Sequence, residues 1–213
     1  KNSFVWNMRY DDAKGFDGLI MWAANLRGPK ASPGNYFVRL NVDENSMERS
    51  FNILKDPRSN SSIEDLKKQF DFLISVRDKV TSVHEAIIQI RSTRKQLNDL
   101  KEKLDENHNE LKKNINEVIN SITKIEKTLY QTKNRSGQDP LNFPIKLNNK
   151  LAHLASVASS GNYKPTDQMY GVRDELIKKI DIELNLWNDI KRNKLEKINT
   201  AIKESNIQLI SIN

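Results

Sequence analysis

The chain of 213 residues contains no cysteine, which excludes disulfides, thiolate metal sites and cysteine nucleophiles. Glycine is scarce, at seven residues. Phosphate-cradling loops, nucleophile elbows and EF-hand loops need glycine at set spacings, and none of those patterns occurs. Histidine appears three times, as His84, His108 and His153. Each is isolated, with only the neighbour pair His84-Glu85 hinting at a second ligand type, so surface or bundle-edge histidines are expected rather than metal ligands. No apolar run approaches the ~18 residues of a membrane span, and no signal peptide is visible. The first residues, Lys1-Asn2-Ser3-Phe4, lack Met and enter an ongoing pattern, which reads as a fragment. Together these absences predict no enzyme activity, no catalytic residue, no cofactor, no metal and no transmembrane segment.

Charge is plentiful but mixed: 35 Lys/Arg against 28 Asp/Glu give a formal net charge of +7, and mean hydropathy is −0.71. Residues 1–57 hold 8 basic and 7 acidic side chains, and residues 58–213 hold 27 and 21. The excess is therefore spread among many acids. Nucleic-acid binding needs basic residues clustered on one face. The densest stretch, Lys191-Arg192-Asn193-Lys194, sits in an acid-containing helix, so a solvated face is expected and no nucleic-acid partner. The acidic pairs Glu64-Asp65 and Asp174-Glu175 read as helix starts, where the helix dipole favours carboxylates. Asp11-Asp12 is a third pair. None offers the two carboxylates across a cleft that glycoside hydrolysis requires.

What is present divides in two. Residues 1–58 read as β structure. Phe4 to Tyr10 alternates apolar and polar, and Leu19 to Ala23 is a short apolar run. Ser32-Pro33-Gly34-Asn35 signals a turn. Tyr36, Val38, Leu40 and Val42 share one face of a strand; Asp43-Glu44-Asn45 turns the chain, and Glu48 to Leu54 returns. Four strands are thin for an independent core, so either further strands complete a small sandwich or the helices cover its open face.

Residues 59–213 read as helices. After the caps Ser61 or Ser62, apolar residues recur at three and four from Ile63 through Leu66, Phe70, Leu73, Val76 and Val80 to Leu104, with Arg94 in one polar gap. Asp105 to Asn109 turns the chain into a second stripe, Leu111 to Leu129. Pro140 and Pro144 make residues 132–146 an irregular connection. A short helix spans Asn148 to Ser159, stopped by Gly161. The last helix opens at Pro165-Thr166-Asp167 and carries Met169, Val172, Leu176, Ile180, Leu184, Trp187, Ile190, Leu195, Ile198, Ile202 and Leu209. The predicted fold is α+β, mainly α: a small N-terminal β-sandwich of immunoglobulin or fibronectin type, then an antiparallel bundle of three long helices and one short helix.

Aromatic residues concentrate in the β part. Trp6, Tyr10, Trp22 and Tyr36 are candidate ligand-binding residues, because aromatic faces stack on sugar rings; the alternative is a sandwich core with inter-domain contacts. The sequons Asn60-Ser61-Ser62 and Asn134-Arg135-Ser136 are short matches in an Asn-rich chain.

Phe4-Val5-Trp6-Asn7-Met8-Arg9-Tyr10, Met21-Trp22-Ala23, the run from Arg27 to Tyr36 and the exit Lys55-Asp56-Pro57-Arg58 resemble the C-terminal region of large exported bacterial proteins. Those proteins carry a sortilin-like or Asp-box, sialidase-type β-propeller. Phe143 to Leu151 and Pro165-Thr166-Asp167-Gln168 are similar to the same family's helical tail. The resemblance implies an exported protein of the periplasm, outer membrane or extracellular space. Its partner would be a β-propeller of the parent protein or complex, with polysaccharide as ligand. It transfers no catalytic residue, because Asp-box repeats are absent here. The expected function is a non-catalytic accessory module of an envelope-associated carbohydrate-binding or -processing protein. The alternative is an interaction or oligomerisation module that uses an exposed helical stripe.

Overall fold

The structure, a computed structural model, describes residues 3–204. The chain is mainly helical with one small sheet. Strands β1 (Gly34–Val42) and β2 (Asn45–Ile53) form an antiparallel hairpin. Helices α1 (Ile63–Lys103), α2 (Asn109–Leu129), α3 (Leu147–Ala158), α4 (Asp167–Asp189) and α5 (Glu196–Glu204) follow.

α1 is the spine. Its 41 residues reach roughly 60 Å at ~1.5 Å per residue. It starts where the sequence signals a start: the Ser62 hydroxyl accepts from the Asp65 amide, and the Asp65 carboxylate accepts from the Ser62 amide, closing a capping box. The expected stripe is buried from Val76 onward. In its first turns Ile63 is exposed and Phe72, off the stripe, is buried instead. Phe72 packs edge-on against Tyr170 of α4, while the other side of α1 faces α3. A central helix flanked on several sides buries more than one stripe.

Three side-chain pairs fix the direction of α2: Arg91 with Glu126, Arg94 with Thr123 and Lys101 with Asn116. One number rises as the other falls, so α2 runs antiparallel to α1. Gln69 with Ala158 and His84 with Asn148 set α3 antiparallel too, along the earlier half of α1. Ser75 with Arg173, Lys79 with Asp181 and Gln89 with Trp187 set α4 parallel to α1. The helices thus form an up-down-up arrangement whose middle, descending row is α2 then α3, interrupted at residues 130–146. Pro140 and Pro144 account for the interruption. The loop stays on the bundle: Gln131 donates to the Pro144 carbonyl and Lys133 lies over the Phe143 ring.

The ascending row contains a second irregularity. Between α4 and α5, residues Ile190–Leu195 form a π-helical turn. The apolar stripe there steps three residues, from Trp187 to Ile190, then five to Leu195, then three to Ile198. The wider turn absorbs the five-residue step and keeps Ile190 and Ile198 inside. Val172, on the expected stripe, is exposed instead. Leu209 lies outside the described residues. α4 begins at Asp167 behind the Thr166 cap, so Asp174-Glu175 lies in its third turn rather than at its start. That pair is engaged with Arg173 and Lys179.

The described residues hold one two-stranded sheet. Phe4 to Tyr10 and Leu19 to Ala23, expected as strands, are not ladder strands; the first contributes only the bridge Arg9 to Lys30. Residues 8–33 instead form a strap along the helices. Its two arms are joined by the amides of Tyr10, Ala13 and Ala31, which donate to Pro29, Leu26 and Met8. Gly28 makes this approach possible, since a Cβ there would overlap the carbonyl oxygens of Tyr10 and Asp11. No helix of the described residues is long and apolar enough to cross a membrane.

Candidate functional site

The strap follows α1, crosses the break in the middle row and returns along α3. Arg77 donates to the Asp11 carbonyl, the Thr81 hydroxyl accepts from the Lys14 amide, and Lys14 Nζ pairs with Glu85. At the crossing, Phe16 packs edge-on against both His84 and Tyr130, under the Arg91 guanidinium. The Tyr130 hydroxyl accepts from the Ile20 amide and donates to the Gly18 carbonyl. On the return, Asn149 clamps both backbone groups of Trp22, and His153 reaches the Ala23 carbonyl.

The break explains the buried polar groups. Interrupting a helix in mid-bundle leaves backbone ends inside, and polar side chains collect there. His84, expected at the surface or bundle edge, is fully buried. Its Nδ1 lies 2.5 Å from the Lys14 carbonyl oxygen and its Nε2 lies 3.1 Å from the Asn148 amide nitrogen. This pairing fits the neutral tautomer that donates from Nδ1 and accepts at Nε2. Burial pushes its pKa below the ordinary 6.5, against the opposing pull of the Lys14 carbonyl. Glu126, also buried, is held at 2.7 Å by both Arg91 Nε and an Arg94 terminal nitrogen. The polar gap at Arg94 in the α1 stripe is thus the partner of a buried carboxylate. His108 caps nothing but pairs with Asp105, and Asp12 accepts from the Gly28 amide. Among the described residues no three His, Asp or Glu side chains gather as metal ligands.

The hairpin stands away from the bundle, and among the described residues no helix packs along either strand. Register pairs Tyr36 with Phe51, Val38 with Arg49 and Leu40 with Met47 on one face. The other face carries the Arg39–Glu48 ion pair. On the apolar face Val38, Leu40, Val42 and Met47 are 53–61% exposed. The turn is tight, with Asp43 at φ 50°, a conformation Asp tolerates better than most residues.

Three of the four candidate ligand-binding residues meet at the hairpin's base. Trp6 packs against Tyr36 at 6.0 Å and Phe51 at 6.3 Å between ring centroids, and its indole donates to the Arg9 carbonyl. Tyr10 sits edge-on to Phe70 of α1 at 4.8 Å. Burial, then the neighbouring Tyr36, raises the Tyr10 pKa above 10.0. These rings are engaged with one another rather than laid open as a flat platform. Trp22 lies apart, on α3. A cavity of about 580 Å³ separates the strap and hairpin base from α1 and α3, floored by Leu66, Phe70, Leu73 and Ala152. Of the two sequons, Asn60 is exposed and Asn134 is buried.

A second concavity was not visible from the sequence. On the side of the helix break away from the strap, a cleft of about 810 Å³ is bounded by the end of α2, residues 144–150 and α4. It is lined by Lys124, Lys127, Lys146, Lys150 and Lys179, with one carboxylate, Glu183. The Glu183 pKa is raised by burial, against the pull of Lys124. Sequence reasoning missed this cluster because its lysines come from three elements and no two are adjacent in the chain.

No protein-family model, no curated protein and no solved structure matches this chain.

Proposed function

We propose that the chain is a non-catalytic accessory module of an exported, envelope-associated protein or complex that binds or processes carbohydrate, and that its hairpin is the docking element. The supporting observation is the bare apolar face of Val38, Leu40, Val42 and Met47. A two-stranded hairpin is marginal alone and needs further strands or a packed layer to hold its face dry. The helices do not supply that layer, because their own stripes are spent on one another. The occupant fitting such a face is β structure: strands that complete the small sandwich of immunoglobulin or fibronectin type. Those strands would join this module to the β-propeller implied by the family resemblance. The long helical stripes, whose residues are largely internal, leave the hairpin as the broad apolar surface available for this role.

The test uses the double substitution V38D/L40D. A propeller-bearing partner segment of the resembling family, produced separately, should co-elute with the wild-type chain in size-exclusion chromatography. The double variant should lose that association while keeping its helical circular dichroism and melting temperature. Absence of wild-type association, or equal association by the variant, would overturn the docking assignment.

A further inference from the structure

From the basic cleft at the helix break, we infer a binding site for a short acidic oligosaccharide, one whose sugar rings carry carboxylate groups. The inference deepens the carbohydrate reading above but rests on a different surface from the hairpin.

Three of the five lysines are without a carboxylate partner. Among the described residues, Lys179 pairs with Glu175 and Lys124 is drawn to Glu183 within the cleft, whereas Lys127, Lys146 and Lys150 have no ion pair. For Lys127 a structural reason exists: it lies in the last turn of α2, whose dipole favours cations; Lys124, a turn earlier, faces Glu183. For Lys146 and Lys150 the same physics runs the other way. They sit at the N-cap and first turn of α3, which has no acidic residue in its first turn. Cations at the positive end of a helix, facing two further lysines across a cleft, repel unless an anion lies between them.

The rest of the lining narrows the class. Ile145, Leu147 and Ile182 provide aliphatic surface, and Asn120, Thr123 and Thr128 provide neutral donors and acceptors. Phosphate chains have no use for aliphatic walls. Sugar rings present C–H faces to such walls, hydroxyls to amides and hydroxyls, and, when acidic, carboxylates to ammonium groups. Lysines on three separate elements match charges spaced along a chain rather than one compact anion, and Glu183 opposes a ligand with charge at every position.

The experiment is calorimetric titration of the full chain at low salt with a short oligogalacturonate, alongside its uncharged methyl ester, tripolyphosphate and an oligothymidylate. Binding of the oligogalacturonate is expected, with no detectable binding of the ester. K127E/K150E should weaken it by at least ~10-fold, a difference of ~1.4 kcal/mol, and K112E/K113E, a control elsewhere on α2, should change it little. Charge-neutral K127Q/K150Q should weaken binding in the same direction if the reversed charges disturb folding. Failure of the oligogalacturonate to bind overturns the site. Equal loss in the control pair, or binding of tripolyphosphate or oligothymidylate as tight as the acidic sugar, overturns the ligand assignment. None of these outcomes bears on the hairpin, whose association is read separately with V38D/L40D.

Discussion

His84 offers a direct measure of how the strap is tied to the bundle. The ring is fully buried, with both nitrogens engaged as a neutral imidazole. Protonation would put a donor at Nε2 against the Asn148 amide donor and place a charge beneath Phe16. Burial therefore lowers the folded-state pKa, while the unfolded chain titrates near 6.5. The sign follows from linkage. Above 6.5 neither state binds the proton and stability is at its full value. As pH falls below 6.5 the unfolded state takes up a proton that the folded state refuses, so stability declines until the lowered folded pKa is reached. The slope cannot exceed one proton, ~1.4 kcal/mol per pH unit. H84Q keeps a donor for the Lys14 carbonyl and an acceptor for Asn148 but cannot titrate. Urea unfolding at pH 7.5 and 5.5, followed by circular dichroism and tryptophan fluorescence, should show wild type losing more than H84Q, by up to about 1.4 kcal/mol. Subtracting the two proteins removes the contributions of His108, His153 and the carboxylates. Identical pH dependence in both proteins, or a wild type that gains stability in acid relative to H84Q, would refute the placement of His84.

Two further substitutions probe the same junction. E126Q keeps the shape of the Glu126 side chain but leaves Arg91 and Arg94 facing a neutral amide. Breaking a buried pair costs ~3–5 kcal/mol, and the arginines, 35% and 26% exposed, can turn partly to water, so a loss of about 2 kcal/mol in thermal or urea unfolding is expected; a loss below ~0.5 kcal/mol would contradict the assigned burial. G28A forces a methyl group into the Tyr10 and Asp11 carbonyls, so the strap arms must part, at ~1–3 kcal/mol. Hydrogen exchange at the Tyr10, Ala13 and Ala31 amides should quicken, while exchange in α1 stays unchanged, and unaltered strap protection would count against the pairing.

The helical part was legible in the sequence because a helix repeats every 3.6 residues and its buried face leaves a regular trace. Ile63 to Leu104, Leu111 to Leu129 and the stripe through Trp187 mark real helices; of the two expected cap candidates Ser61 and Ser62 the second caps α1, and α4 opens at the expected Pro165-Thr166-Asp167, with Thr166 as its cap. Hairpin strands 36–42 and 48–54 were visible for the same reason, with a period of two. Strands at 4–10 and 19–23 were misread. In the first, Phe4, Val5, Met8 and Tyr10 are exposed and Trp6 packs on the hairpin aromatics; in the second, a short apolar run, Leu19 and Met21 pack on the core from within the strap, so neither apolar pattern needed a sheet. Of the candidate aromatic residues, proximity brought Trp6, Tyr10 and Tyr36 together and left Trp22 apart on α3, a distinction that no spacing along the chain encodes.

By itself, then, the sequence determined which segments are helical, where they start, and that no cysteine-based or glycine-loop chemistry is present, because these follow from residue type and local period. Only the tertiary structure decided that α2 and α3 share one descending row, that the break between them buries His84 and Glu126 beneath the strap, and that its far side gathers lysines from three elements. Those facts depend on which residues distant in the chain become neighbours in space, and side-chain periodicity is blind to that.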